Sequence, residues 1–126
     1  MSWNHFSYEQ DRMLACPCCG KKGMDEAFML DLDALRGHLG FPLTITSGYR
    51  CPDYNESLSS TGRDGPHTTG RAVDISLSGE RVYLLIDHLR KYGMTGLGLK
   101  QKGDYSGRFV HIDNLSGVNR PRVWTY

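Results

Sequence analysis

The chain has 126 residues, about the length of one domain, and its 15 basic residues nearly balance its 14 acidic ones. This balance, with a pI near 7.7, argues against a nucleic-acid-binding protein, because such proteins usually have a basic surface and a pI above about 9. No apolar run approaches the roughly twenty residues needed to span a bilayer, and the first residues lack the features of a secretory signal. We therefore expect one domain over residues 1–126, without a cleavable signal. We also expect a monomer, and the dense aromatic residues within residues 1–13 predict a packed N-terminal arm.

Four cysteines are concentrated in two places, with Cys16, Cys18 and Cys19 close together and Cys51 further along the chain. Cys16 and Cys19 have the Cys-x-x-Cys spacing of many zinc sites, and Cys51 offers another thiolate. A disulfide or a buried thiol cluster accounts for the same residues, and four cysteines allow three pairings. The sequence therefore leaves a structural metal and a disulfide both open. A zinc-ribbon module for nucleic acid is disfavoured, because the charge is balanced and the cysteine spacing is incomplete.

The first half of the chain predicts a helix, a strand and a loop. Asp25 is a suitable N-cap, apolar side chains recur at helical spacing as far as Leu39, and Gly40 ends the helix. Residues 43–47 alternate apolar and polar side chains, as a half-buried strand does. Residues 52–66 contain almost no apolar residue, and we predict an exposed loop that borders a cleft.

The second half predicts a strand over residues 72–75, a helix that opens near Glu80, and a hairpin of strands 97–99 and 108–113. Side chains alternate along a strand, so Asp74 lies on the face opposite to its apolar neighbours. These elements indicate an α+β fold, with a small antiparallel sheet and helices packed on one side. The predicted buried face of the second helix consists of Val82, Leu85, Ile86 and Leu89.

Three residues in the second half form a candidate metal site. His67 and Asp74 are seven positions apart, and His111 lies on the last predicted strand. Two imidazoles and one carboxylate suit zinc and leave its fourth position open for water or substrate, as in catalytic zinc sites. Asp113 shares a strand face with His111, because side chains alternate with a period of two.

The segment Ser47-Gly48-Tyr49-Arg50, the Gly-x-Ala-x-Asp pattern that ends at Asp74, and the late His111 occur in a characteristic order. Together they resemble the zinc D-Ala-D-Ala carboxypeptidase family of peptidoglycan metallopeptidases, which shares its fold with lysostaphin-type enzymes and the hedgehog domain. Compact phage-type members, with a cysteine-rich opening, are the most similar. The resemblance spans about residues 14–124 and implies a hedgehog/D-Ala-D-Ala-peptidase-like fold, zinc as the cofactor and a peptidoglycan peptide as the substrate.

The resemblance also implies residue roles. By analogy, His67, Asp74 and His111 bind zinc. Ser47, Tyr49 and Arg50 form a substrate-binding turn, in which the guanidinium of Arg50 grips a carboxylate or stabilises the oxyanion formed during catalysis.

The chain departs from the family pattern at two positions. Gly65 stands where many relatives carry Ser, and Arg108 stands where well-studied relatives carry a catalytic Asp or Glu. Arginine cannot act as a general base at neutral pH. Asp113 is the natural substitute, either as the base or as a group that orients a ligand imidazole, and Asp104 is the reserve candidate for the base.

The leading hypothesis is a zinc-dependent peptidoglycan peptidase, either an endopeptidase or a D,D-carboxypeptidase, that hydrolyses an amide of the stem or cross-bridge peptide. We expect it to be made in the cytoplasm and to reach the cell wall after release, as a phage- or prophage-associated enzyme. The alternative is a non-catalytic, zinc-stabilised module that binds the cell wall or has a structural role in a phage tail, because the usual acidic residue is missing at Arg108.

Overall fold

The computed structural model describes residues 3–117 and 119–126, which form three α-helices and a five-stranded sheet. The helices are α1 (Glu26–Leu39), α2 (Pro52–Leu58) and α3 (Glu80–His88). The strands are β1 (Thr44–Ser47), β2 (Ala72–Ser76), β3 (Gly96–Lys100), β4 (Phe109–Asp113) and β5 (Arg122–Thr125).

The strands of the sheet lie in the order β1-β2-β4-β3-β5. The pairs β1–β2, β2–β4 and β3–β4 are antiparallel, and this confirms the predicted α+β fold and the hairpin between β3 and β4. The sheet also has one feature that the sequence did not predict, because β5 from the chain's tail adds a parallel edge strand beside β3.

The period-two alternation of β2 and β4 divides the sheet into two chemically different faces. One face contributes Val73, Ile75, Val110 and Ile112 to the hydrophobic core, together with side chains of α1 and α3. The other face carries the polar side chains of β2 and β4. The two longer helices therefore cover the apolar face and leave the polar face for a site.

Helix α1 agrees with its prediction at both ends. The carboxylate of Asp25 accepts a hydrogen bond from the amide of Phe28, and Gly40 ends the helix with a left-handed φ of 77°. Helix α3 agrees less completely, since Val82 and Leu85 are buried whereas Ile86 is 40% exposed. The prediction that Ile86 faces the core is wrong, because helical spacing alone does not show how wide the covered face is.

The prediction that residues 52–66 form only a loop is also wrong, because α2 lies within them. Pro52 occupies the first turn, and the sulfur of Cys51 caps the helix by accepting a hydrogen bond from the amide of Tyr54. The buried residue of α2 is Asn55, so the helix has no apolar stripe from which it could be predicted.

The residues before α1 contact the rest of the molecule. The carboxylate of Asp33 on α1 accepts hydrogen bonds from the backbone amides of Asn4 and His5, and Phe6 is 4% exposed within the core. Across residues 3–117 and 119–126, no helix has both the length and the apolar character to cross a membrane.

Candidate metal centre and substrate cleft

The three residues predicted as metal ligands converge on the polar face of the sheet. His67 lies in a short 3-10 helix, Pro66–Thr69, while Asp74 and His111 are direct partners across β2 and β4. The Oδ1 atom of Asp74 lies 3.3 Å from Nε2 of His67 and 3.0 Å from Nδ1 of His111. All three residues are buried, with exposed fractions of 6%, 9% and 3% in chain order.

Hydrogen bonds on the far side of each imidazole fix which nitrogen points to the centre. Nδ1 of His67 lies 2.8 Å from the carbonyl oxygen of Gly48, and Nε2 of His111 lies 2.8 Å from Oδ2 of Asp113. A carbonyl and a carboxylate are acceptors, so each of these nitrogens donates its proton outward. The other nitrogen of each ring is left with a lone pair that points at Asp74.

Two imidazole lone pairs and one carboxylate oxygen therefore face one another, and this arrangement requires a cation or a proton between them. Burial by itself raises the pKa of Asp74, but contacts with His111 and His67 outweigh burial and lower it. Burial lowers the pKa of His111, but Asp113 and Asp74 outweigh burial and raise it. The donor set, two nitrogens and one carboxylate with supporting hydrogen bonds behind both rings, fits a zinc ion.

Asp113 lies behind His111 rather than in the cleft. It is fully buried, and Arg120 binds both of its oxygens, with Nε at 2.9 Å from Oδ1 and Nη2 at 2.7 Å from Oδ2. Burial raises the pKa of Asp113, but Arg120 and His111 outweigh burial and lower it. This geometry favours the orienting interpretation of Asp113 over the general-base interpretation, because a base must reach the attacking water.

Arg50 lies beside the three candidate ligands. Its Nε donates to Ser47 Oγ at 3.0 Å, its Nη1 donates to Asn55 Oδ1 at 3.1 Å, and its Nη2 lies 3.7 Å from Oδ2 of Asp74. Ser47 therefore holds Arg50 in place and does not itself line the cleft. Tyr49 is 7% exposed and packs closely on Gly23, so its ring also lies outside the cleft.

An open cleft of about 770 Å3 lies above the three candidate ligands. The guanidinium groups of Arg50, Arg120 and Arg122 line the cleft, and within the described residues Asp74 supplies the only side-chain carboxylate of that lining. The complete lining is Arg50, Leu58, Ser59, Ser60, Thr61, Pro66, His67, Asp74, Phe109, His111, Asn119, Arg120, Arg122, Trp124, Thr125 and Tyr126.

The chain's tail therefore forms a wall of the cleft, and sequence reasoning did not assign its residues to the site. Arg120 contacts Asp113, and Trp124 packs against His111 with ring centroids 5.1 Å apart. Burial raises the pKa of the Tyr126 phenol, whose surroundings include the charges of Asp74 and Arg50. The available signal was the aromatic and basic composition of residues 119–126, which does not reveal where the segment packs.

The structure does not bring Asp104 or Arg108 to the candidate metal centre. Asp104 lines a separate, smaller depression with Lys100 and Lys102. Arg108 points away from the cleft, since its Nε and Nη2 both donate to the carbonyl oxygen of Gly103. Asp104 is therefore not placed to act as the reserve base.

The four cysteines form a second cluster. Their sulfur atoms all lie within 4.8 Å of one another, and none of the four cysteines is in a disulfide.

A His-Asp-His donor set at the base of an open cleft is characteristic of the zinc hydrolase class. A comparison with protein-family models gave a match to Peptidase M15 over residues 4–113, so the chain belongs to this family of zinc metallopeptidases. This match confirms the resemblance drawn from the sequence motifs. Comparisons with curated proteins and with solved structures found no match.

Proposed function

We propose that the protein is a single-domain, monomeric, zinc-dependent peptidoglycan peptidase. It hydrolyses an amide of the stem or cross-bridge peptide, as an endopeptidase or a D,D-carboxypeptidase. The observation that carries the proposal is the convergence of His67 Nε2, Asp74 Oδ1 and His111 Nδ1 below an open cleft. The sequence resemblance to compact phage-type members supports a phage- or prophage-borne enzyme that acts on the wall after release.

In this proposal, His67, Asp74 and His111 hold the zinc ion. When bound to such a set, zinc polarises a carbonyl and lowers the pKa of water toward about 7. The chain's own contribution is to aim the two imidazole donor atoms, because Gly48 and Asp113 each hold the outer nitrogen of one imidazole.

We assign substrate binding and charge stabilisation to arginine side chains of the cleft. Peptidoglycan peptides carry free carboxylates, and guanidinium groups bind carboxylates with paired hydrogen bonds. The Nη2 of Arg50 lies 3.7 Å from Oδ2 of Asp74, so the guanidinium is at the edge of the candidate metal centre and would be placed to stabilise an oxyanion formed there. Arg122 is exposed on β5 and offers a second cation along the same cleft.

The non-catalytic module remains the second candidate, and one observation favours it. Among the described residues that line the cleft, only Asp74 has a side-chain carboxylate, and the carboxylate of Asp113 is bound by Arg120 and His111. A peptidase needs a group that accepts the proton of the attacking water. A wall-binding module needs only the metal ligands and the arginines of the cleft.

Incubation of purified peptidoglycan with the zinc-loaded protein tests the proposal through the release of new amino groups. Mass spectrometry of the products separates a carboxypeptidase, which releases a terminal D-amino acid, from an endopeptidase, which opens a cross-link. His67→Ala should abolish release, whereas His88→Ala, on a histidine outside the cleft, should leave it unchanged. Stoichiometric zinc with no amine released from any wall type, but with co-sedimentation on peptidoglycan, would favour the binding module instead.

A further inference from the structure

The cysteine cluster joins two segments that are distant in the sequence. Cys16, Cys18 and Cys19 lie in a turn before α1, and Cys51 lies at the start of α2. The Sγ atom of Cys18 is 3.6 Å from that of Cys16 and 3.4 Å from that of Cys51. All four cysteines of the chain take part, so the cluster leaves no thiol elsewhere in the sequence.

The separations between the sulfur atoms suit a single tetrahedral metal ion. A zinc–sulfur bond of about 2.3 Å places the sulfurs of a tetrahedral site about 3.8 Å apart. The two measured separations of 3.6 and 3.4 Å are close to this value, and every pair in the cluster lies within 4.8 Å. Disulfide-bonded sulfurs would lie much closer, at about 2.05 Å.

Backbone amides stabilise negative charge on the sulfur atoms of two of the four cysteines, Cys16 and Cys51. The amide of Cys51 donates to Sγ of Cys16 at 3.3 Å, and the amide of Tyr54 donates to Sγ of Cys51 at 3.4 Å. The Cys-x-x-Cys turn closes with a 2.7 Å hydrogen bond from the amide of Gly20 to the carbonyl oxygen of Cys16. Gly20 has a φ of 75°, a conformation that glycine adopts without strain. Amide donors aimed at sulfur favour the thiolate form, which is the form that binds metal.

We propose that Cys16, Cys18, Cys19 and Cys51 bind a second zinc ion, in a structural site that is separate from the His-Asp-His centre. Four thiolates close the coordination sphere and leave no open position for substrate, which is the arrangement of structural zinc sites. Soft thiolate ligands favour zinc over hard cations such as Mg²⁺. Cys18 and Cys19 are exposed, so a zinc ion can reach the cluster from solvent.

The site would fix the segment that supports the His-Asp-His centre. The backbone N–H groups of Gly48 and Tyr49 donate to the carbonyl oxygens of Met13 and Leu14, at 2.8 and 3.1 Å, and Leu14 lies two residues before Cys16. The same segment provides the carbonyl oxygen that holds His67, and it ends at Cys51. A zinc ion across the four sulfurs therefore anchors the backbone that orients His67.

Metal content and cobalt spectroscopy of the full chain test this proposal without any activity measurement. Protein produced with excess zinc should hold two zinc ions, and His67→Ala should lose one of them, whereas the control His88→Ala should keep both. After Co²⁺ exchange, the ion that His67→Ala retains should show the near-ultraviolet charge-transfer absorption of thiolate ligands. These results would hold even if the His-Asp-His centre has no catalytic role.

Cysteine variants and a thiol-blocking reagent test whether the four sulfur atoms bind the second zinc ion. Cys16→Ser and Cys51→Ser should each lose the thiolate absorption, and a thiol-blocking reagent should release one zinc ion from the wild-type chain. If a variant fails to fold, the wild-type cobalt spectrum still decides. The proposal is overturned if the wild-type protein binds one metal ion without thiolate absorption, or if its intact mass shows that the cysteines are paired as disulfides.

Discussion

The imidazole of His111 contacts a different aspartate with each of its ring nitrogens. Its Nε2 lies 2.8 Å from Asp113 Oδ2, and its Nδ1 lies 3.0 Å from Asp74 Oδ1. The carboxylate of Asp113 is therefore separated from the centre by the width of the ring. Arg120 neutralises the buried charge of Asp113 from the other side. Arg120 in the cleft wall therefore contacts Asp113, and Asp113 in turn contacts the candidate metal ligand His111.

We predict that Asp113→Asn weakens zinc binding at the His-Asp-His centre by about 10- to 100-fold, as is usual when a group that orients a ligand is removed. The physical reason is that a neutral amide binds the Nε2 proton of His111 less strongly than the carboxylate does, so the imidazole is held less firmly. Competition with a chelator measures the affinity. The matched control is Asp104→Asn, which lies in a separate depression and should bind zinc normally. Unchanged zinc affinity with lost turnover in Asp113→Asn would instead identify Asp113 as a catalytic base.

The raised pKa of His111 predicts how zinc affinity depends on pH. Burial opposes the charge on this imidazole, but Asp113 and Asp74 outweigh burial and raise its pKa above the usual value of about 6.5. Below the raised pKa, zinc must displace a proton from His111, so the affinity should fall by about tenfold per pH unit for this proton. Above that pKa, the contribution of His111 to the pH dependence should disappear.

The raised pKa of His111 also predicts how the stability of the zinc-free protein depends on pH. A raised pKa of His111 stabilises the fold at low pH, and this contribution is lost as the pH rises through the folded-state value. Chelator competition and thermal unfolding of the zinc-free protein, both followed from about pH 5 to pH 8, check the two effects. In Asp113→Asn the fall in affinity should begin at a lower pH. A zinc affinity that is independent of pH over this range would contradict the assignment of His111 as a ligand.

The sequence predicted the two strands that carry Asp74 and His111 because their signals are local, whereas it did not predict the short 3-10 helix that carries His67. Alternation along β2 and β4 places Asp74 and His111 on the polar face, and the register of the two strands then makes them neighbours. The cap at Asp25 and the stop at Gly40 are equally local signals and gave the ends of α1.

The remainder of the site depends on contacts that no local pattern encodes. Arg120 reaches Asp113 because the tail continues into β5, which pairs in parallel with β3. The side-chain Nδ2 of Asn55 donates to Thr61 Oγ1 and to the carbonyl oxygen of Gly62, and its Oδ1 accepts from Arg50. Polar contacts rather than an apolar stripe therefore hold α2 in place. Neither contact could be predicted from periodicity.

The proposed role of Arg50 gives a third prediction. Arg50→Ala and Arg50→Lys should both lower kcat/KM for peptidoglycan, by about 100- to 1000-fold for Ala, which is the usual effect of removing an oxyanion donor. Lysine should not restore activity, because it lacks the planar fork that contacts Ser47 and Asn55 at the same time. The measurement is amine release with zinc content determined in parallel.

The control for this experiment is Arg63→Ala. Arg63 is exposed and pairs with Asp53 and Glu56 on the outer surface of α2, so its loss should change neither turnover nor zinc content. Undiminished turnover in Arg50→Ala would remove Arg50 from the proposed mechanism. Loss of zinc from Arg50→Ala would show instead that the arginine supports the ligand Asp74.

A fourth prediction follows from the packing of Asp113 against β3. Gly96 is the direct partner of Asp113 across the strands, and a methyl group on Gly96 would overlap the Asp113 carboxylate. Gly96→Ala should therefore push Asp113 away from His111 and Arg120. Overpacking of this kind costs about 1–3 kcal/mol of folding stability, and zinc affinity should fall in the same direction as in Asp113→Asn.

Gly107→Ala provides the matched control, because the nearest atom to an added methyl group there is Nζ of Lys100, at 4.0 Å. Thermal unfolding and chelator competition on both variants separate the effect on stability from the effect on zinc. The specific expectation is that only Gly96→Ala loses zinc affinity, because the displaced carboxylate no longer holds the Nε2 proton of His111. If Gly96→Ala is less stable but binds zinc as tightly as the wild type, the contact between Asp113 and His111 does not determine the affinity of the centre.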